Sequence, residues 1–338
     1  TYATRQLCCA RHISPSRHQS LREVCSCDAE RAAAAAPAPR TKLGGFSWGN
    51  YSNQCFYNRE VVLCSYNTTV INGRSVYHQY PLGAPPAGGF PLVLIFHAWG
   101  ANGLSCFEAD KTLEAFVFPK AELTRSLLDA GYAVACPEAS SPYEPHNETE
   151  GQFWWSNVPP YDLDLPEDLM LWNLTSPDHQ LLMGVLDAAD SGSLGPLSTS
   201  RLHAAGFSSG AYMVSRLARW QYSRFVSLSI NAGSMYYCGG DHCPSPATFL
   251  APYWATHPPT LFLHGDEDDV VNRTDVLSYH SRLLNASVPT RLVTEPDKGH
   301  AWLDAAPTEV LAWIERWDAA ARNTRLAAGA GAVAVASL

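Results

Sequence analysis

Six short apolar or β-branched runs alternate along this chain with five segments of helical spacing, and few folds accommodate that order. The runs are Leu92 to Phe96, Tyr132 to Cys136, Leu202 to Ala205, Val226 to Ile230, Leu261 to His264 and Arg291 to Thr294. The helical segments are Ala121 to Ala130, Pro177 to Ala189, Ala211 to Tyr222, Asp275 to Leu284 and Pro307 to Ala321. Strands that are apolar on both faces need helices above and below them, and right-handed crossovers put the helices there. The pattern therefore predicts an α/β fold, a mostly parallel central sheet with helices on both faces. Arg74 to Tyr80 alternates in polarity as a leading strand should.

The ends do not join this rhythm. Residues 1–44, with a polyalanine run at Ala32 to Ala36, show no periodic core pattern and read as a disordered, processing or targeting segment. Residues 323–338, almost all Ala, Gly, Val and Leu near the end, read as a flexible tail. One catalytic-size domain, 45–322, remains between them. The formal charge is −9, and because residues 1–44 carry +4 the rest carries −13. An acidic body argues against nucleic acid as a partner. No apolar run is long enough to span a bilayer. No compact Cys/His spacing suggests zinc, and no cofactor is expected.

Ten cysteines and six Asn-x-Ser/Thr sequons, at Asn50, Asn67, Asn147, Asn173, Asn272 and Asn285, point to the secretory pathway and a secreted glycoprotein. Of the six cysteines in residues 45–322, Cys55 with Cys64 and Cys238 with Cys243 are close enough along the chain to staple local loops, and Cys106 with Cys136 would be the remaining pair, one of fifteen connectivities that six cysteines permit.

Chemistry concentrates at three strand ends. Gly206-Phe207-Ser208-Ser209-Gly210 stands between a strand and a helix, where a strained turn can lift a serine hydroxyl clear of the sheet. Ser208 is the candidate nucleophile. Leu261 to His264 runs into Gly265-Asp266-Glu267-Asp268-Asp269, a turn with four acidic side chains, and Arg291 to Thr294 leads to His300 before the last helix. Serine, acid and histidine in that order match an α/β-hydrolase relay, in which His300 is the general base and Asp268 orients it. Asp266, Glu267 and Asp269 are rivals for the acid, as turn caps or solvated charges.

An oxyanion hole needs two backbone amides. Ser209 supplies one, and the loop after Leu92 to Phe96 supplies the other from Trp99, with Gly100 as the alternative. His97 reads as a structural histidine at the strand end. Between 139 and 176 a proline- and aromatic-rich loop interrupts the rhythm, and Trp154 or Trp155 in it is expected to contact substrate. Trp302, beside the proposed base, is expected to line the cleft or to pin the His300 loop.

Together Phe96-His97-Ala98-Trp99-Gly100, Gly206 to Met213, His264 to Asp268 and Gly299-His300-Ala301-Trp302 resemble the polyhydroxybutyrate depolymerase family of esterases, related to feruloyl and acetylxylan esterases. The similarity covers about residues 88–320. It implies a Ser208–Asp268–His300 triad and an ester substrate, small, oligomeric or polymeric. Alanine stands at 98 and 211 where the family usually has glycine, which bears on the pose of the second oxyanion donor. Two other readings compete: a serine peptidase of related fold, and a binding protein on a hydrolase scaffold that has lost its chemistry.

Overall fold

A computed structural model describes residues 50–52, 54–112, 118–139, 154, 177–220, 222–235 and 256–335, all within one compact unit, Trp48–Leu338. The strands are β1 (Asn50–Ser52), β2 (Cys55–Tyr57), β3 (Val61–Cys64), β4 (Asn67–Ile71), β5 (Arg74–Gln79), β6 (Phe90–Phe96), β7 (Glu108–Asp110), β8 (Ala133–Pro137), β9 (Leu197–Phe207), β10 (Phe225–Asn231), β11 (Thr260–Gly265) and β12 (Thr290–Glu295). Among the described residues the α-helices are α1 (Phe118–Asp129), α2 (Pro177–Asp190), α3 (Ser209–Trp220), α4 (Arg273–Asn285) and α5 (Ala306–Val335).

Eight strands form the main sheet in the order β12-β11-β10-β9-β6-β8-β5-β4. The pairs from β8 to β12 are parallel, whereas β5 joins β8 and β4 joins β5 antiparallel. The chain leaves β6 toward β8 on one side and later places β9 on the other. Between β6 and β9 the winding therefore reverses, and a crevice opens there at the carboxyl ends of the strands. That reversal locates the chemistry.

The inner parallel strands β6, β8, β10 and β11 are buried on both faces because their neighbouring side chains enter different layers. In β6, Leu92, Leu94 and Phe96 join the core that includes α2 and α3, while Val93 and Ile95 join the core under α1 and α5. The leading hairpin follows local chemistry. Asn72 and Gly73 both have positive φ, at 50° and 77°, and link Ile71 to its partner Arg74 in a two-residue turn whose twist suits the strands.

Two features depart from the sequence-based expectations. A second, four-stranded sheet, β1-β2-β3-β7, forms where the sequence pattern assigned no strand. The Cys55–Cys64 disulfide joins facing residues of β2 and β3, and the Cys106–Cys136 disulfide ties the turn before β7 to β8. Cys238 and Cys243 lie outside the described residues, as does the segment 1–44. The second departure is at the C-terminus: α5 runs to Val335, so residues from 323 that were expected as a flexible tail are helical. Alanine has the highest helix propensity, and an alanine-rich end extends a helix already anchored by its first turns.

That anchor is ionic. Asp318, with no exposed side-chain surface, accepts two bonds from Arg201, Nε to Oδ1 at 2.6 Å and a second nitrogen to Oδ2 at 2.5 Å. The Tyr132 hydroxyl donates to Oδ2 at 3.3 Å. Burial acts to raise the carboxyl, but the hydrogen bonds and charge of Arg201, with His203 Nε2 3.9 Å from Oδ1, outweigh it and hold it far below the usual carboxylate range. Asp318→Ala strips the partly exposed Arg201 of its main partner and is expected to cost about 3 kcal/mol, read as a shift of the urea midpoint. A group with a depressed folded pKa stabilises the protein above its unfolded value and loses that contribution as pH falls through the folded one. Accordingly, below the ordinary aspartate value near 3.8 the wild type is expected to lose stability more steeply than Asp318→Asn.

Candidate active site

Ser208 forms the turn between β9 and α3 with φ of 52°, a left-handed backbone that a serine adopts only where its surroundings enforce it. Its amide donates to the Asn231 carbonyl at 3.0 Å, which fixes the turn to the end of β10. The flanking glycines are required by contact. A Cβ on Gly206 would lie 2.3 Å from the Gly210 carbonyl oxygen, and one on Gly210 would lie 2.1 Å from that of Phe96. Close backbone approach thus seats the turn against the end of β6. The alanine at 211 is accommodated by Gly233, where an added Cβ would fall 2.4 Å from the Ala211 methyl.

His300 Nε2 lies 2.9 Å from Ser208 Oγ, and its Nδ1 lies 2.9 Å from Asp268 Oδ2 and 3.1 Å from Oδ1. Asp268 Oδ1 also accepts from the Val270 and Val271 amides, at 3.0 and 2.9 Å. Its side chain has no exposed surface. Burial acts to raise this carboxyl, yet the His300 and Val271 hydrogen bonds, the charge on His300 and the Val270 amide outweigh it, so Asp268 titrates below its ordinary value. The rivals are placed differently: Asp266 faces Arg273 at 3.2 Å, and Glu267 and Asp269 are exposed.

Backbone contacts stitch the acid and histidine loops together. The Glu267 amide donates to the Lys298 carbonyl and the Asp266 amide to that of Glu295, both at 2.9 Å. A Cβ on Gly265 would lie 2.1 Å from the Lys298 oxygen, so glycine permits that contact. Behind His300, the Phe207 ring stands 5.0 Å from the imidazole and 5.9 Å from Trp302.

The loop after β6 carries the expected second oxyanion donor. His97 is fully buried, with Nδ1 2.8 Å from the Ala98 carbonyl and Nε2 accepting from the Ala139 amide at 3.0 Å. Burial lowers its pKa to about 3, against the pull of the Ala98 bond, so it stays neutral and bridges two loops. That agrees with a structural histidine. Glu138 adds a further tie, accepting from the Gly103 amide at 2.9 Å. Trp99 follows on the same loop with about half of its surface exposed, and Ser209 begins α3, where helix amides point outward unpaired by the helix itself.

The aromatic expectations change. Trp154 is fully buried: its indole N–H donates to the His97 carbonyl at 2.8 Å, its amide donates to Ser209 Oγ at 3.1 Å, and its ring meets Phe96 edge-on. It packs against the end of β6 and the start of α3, where a large ring gains by burial. Trp302, 1% exposed, packs beneath the His300 loop, the second of the two places expected for it. Trp155 lies outside the described residues. Among the described residues, exposed large apolar side chains on the loops that follow β6 and β11 are Trp99 and Val270, the latter two residues past Asp268. The sequence analysis passed over Val270 and His264, although both flank the acid in its motif. Among the described residues no group of three or more His, Cys, Asp or Glu side chains is placed to hold a metal ion, and no helix is long and apolar enough to cross a membrane.

No family model matches the chain. Over 258 residues it is 38% identical to a poly(3-hydroxyoctanoate) depolymerase of Pseudomonas fluorescens, covering 75% of this chain and 85% of that protein. Among solved structures it resembles an S-formylglutathione hydrolase from Agrobacterium tumefaciens, with a TM-score of 0.51, 15% identity, and coverage of 80% of this chain and 98% of that one. A Bacillus cereus carboxylesterase gives 0.50, 14%, 72% and 94%. At these identities the structural likeness speaks to the fold.

Proposed function

The chain belongs to the polyhydroxybutyrate depolymerase family of α/β-hydrolase esterases and is a serine carboxylic-ester hydrolase, and from that premise we propose that Ser208, His300 and Asp268 cleave esters of 3-hydroxyalkanoic acids. The observation that carries this reading is the unbroken relay from Ser208 Oγ through His300 to a buried Asp268 at the sheet's carboxyl edge.

In the proposed reaction Ser208 Oγ attacks the ester carbonyl as its proton passes to His300 Nε2. Asp268 holds Nδ1–H and stabilises the imidazolium. Negative charge on the carbonyl oxygen is met by the Ser209 and Trp99 amides. His300 then protonates the leaving alcohol, and water, activated by the same imidazole, releases the acid. Trp99 and Val270 offer apolar surface at the rim, which suits an alkyl side chain on the acyl group. The similar Pseudomonas fluorescens protein, named for poly(3-hydroxyoctanoate), supports the same choice. Secretion is part of the proposal, supported by two disulfides and by exposed sequon asparagines at 67, 272 and 285.

A panel of 4-nitrophenyl esters tests the substrate. Each buried methylene contributes ~0.8 kcal/mol, so burial of only about two methylenes of the 3-hydroxyoctanoate chain is expected to raise kcat/KM above that of the acetate by about tenfold, and the ester is expected to exceed its matched anilide by far more. Preference for acetate or ferulate would remove the hydroxyalkanoate assignment, and comparable cleavage of the anilide would favour a peptidase.

A further inference from the structure

His264 is an anomaly in the strand that carries the acid. It follows Leu261, Phe262 and Leu263, each without exposed surface, and is itself only 1% exposed. Among the described residues neither of its ring nitrogens has a hydrogen-bond partner. Burying a polar atom unpaired is unfavourable, and a fourth apolar side chain would fill this place without that cost. The position of its Nδ1 accounts for the choice. It stands 3.8 Å from Asp268 Oδ2, beyond a hydrogen bond but short of one by only a small movement.

The two oxygens of Asp268 are unequally occupied. Oδ1 takes both loop amides, while Oδ2 takes His300 Nδ1 as its nearest bond and keeps a free acceptor direction. With two amides drawing on one oxygen, rotation of the carboxylate would weaken the bond from Oδ2 to His300. A donor on the other side of Oδ2 resists that rotation. We infer that His264 is a positioning residue for the acid of the relay: carrying its proton on Nδ1, it donates to Asp268 Oδ2 when the substrate complex tightens, and so holds that oxygen toward His300. This rests on the triad reading. Hydrogen bonds that are long in an unliganded site commonly shorten in the reacting complex.

The charged and titratable groups around His264 are Asp268, Arg273, His300 and Asp266. Burial first, then Arg273 and His300, lower its pKa, while Asp268 and Asp266 oppose them. It is thus neutral at neutral pH, as a donor to a carboxylate already paired with His300 must be. Removing that donor leaves Asp268 more basic and His300 easier to protonate, so the acid limb of kcat/KM should move to higher pH.

The test compares His264→Leu, which fills the space without a donor, with His264→Asn, whose amide nitrogen can replace Nδ1. For His264→Leu the expected result is a kcat lower by about 10- to 100-fold with KM within about twofold, and an acid limb displaced upward. His264→Asn is expected to recover most of the activity and the parental pH profile. Equal activity of parent and Leu variant, or equal impairment of Leu and Asn variants, would overturn the inference. Should either variant fail to fold, nitrogen-15 NMR of the unmodified enzyme decides: a proton on Nδ1 of His264 supports the role and a proton on Nε2 alone overturns it. Asp268→Asn, made in parallel, separates the two claims. If it retains activity, the triad reading itself fails. If it is inactive while His264→Leu is fully active, only the positioning role falls. Adding His264→Leu to Asp268→Asn should cause no further loss, because His264 acts through Asp268.

Discussion

Ser208→Ala is expected to lower kcat on a 3-hydroxyalkanoate ester by about five to six orders of magnitude while leaving KM and the unfolding midpoint near their parental values. The size follows from what the side chain does in the proposed reaction. Without Oγ there is no acyl-enzyme, and His300 loses the hydroxyl 2.9 Å from its Nε2 that it would activate. What remains is water attack in a site that still holds the ester against the Ser209 and Trp99 amides. Stability should change little. The left-handed turn at 208 is held by backbone, through the amide bond to Asn231 and the contacts of Gly206 and Gly210, none of which uses the hydroxyl. Stopped assays at high enzyme concentration, with circular dichroism on the same sample, measure both quantities. A loss below about a hundredfold would mean that the attack does not depend on this oxygen.

Asp268→Asn should cost about four orders of magnitude in kcat, and for a different reason. An asparagine can keep its oxygen on the Val270 and Val271 amides, which now bond to Oδ1. Its amide nitrogen then faces His300 Nδ1 and can only donate. Nδ1 must therefore give up its proton, and the hydrogen moves to Nε2, the nitrogen that has to accept from Ser208. The imidazole becomes the wrong tautomer with almost no change in shape. Asp266→Asn, Glu267→Gln and Asp269→Asn should each stay within a few-fold of the parent, since one faces Arg273 and the other two face solvent. Measuring kcat for the four variants side by side checks the assignment, and a large loss confined to one of the other three would transfer the role to it.

The parallel part of the sheet was legible because its inner strands are buried on both faces, and a run such as Leu92 to Phe96 has no other economical explanation. The small sheet was not. Its strands are three or four residues long, and β7 pairs with β3 across more than forty residues of chain, a contact that no local pattern encodes. The strand-end positions of Ser208, Asp268 and His300 could be read from order and turn chemistry alone. Side-chain exposure could not. Trp154, expected to contact substrate, is fully buried, and of the two places open to Trp302 the structure takes the one beneath the His300 loop, whereas Trp99 on the loop after β6 is half exposed. Burial of a ring depends on which strand ends meet above it, and that is a property of the assembled sheet. His264 belongs with these. Its apolar neighbours suggested only the end of a buried strand, and its two unpaired nitrogens become visible only once Asp268 is placed beside it.

The account stands on a covalent intermediate at one oxygen, and trapping it is the most direct test. Enzyme turning over a slowly deacylated 3-hydroxyoctanoate ester would be quenched in acid, digested and weighed peptide by peptide. One acyl group on the peptide carrying Ser208, absent from Ser208→Ala, is the expected result. An unmodified Ser208 in enzyme that is demonstrably turning over, or the acyl group on another residue, would contradict it.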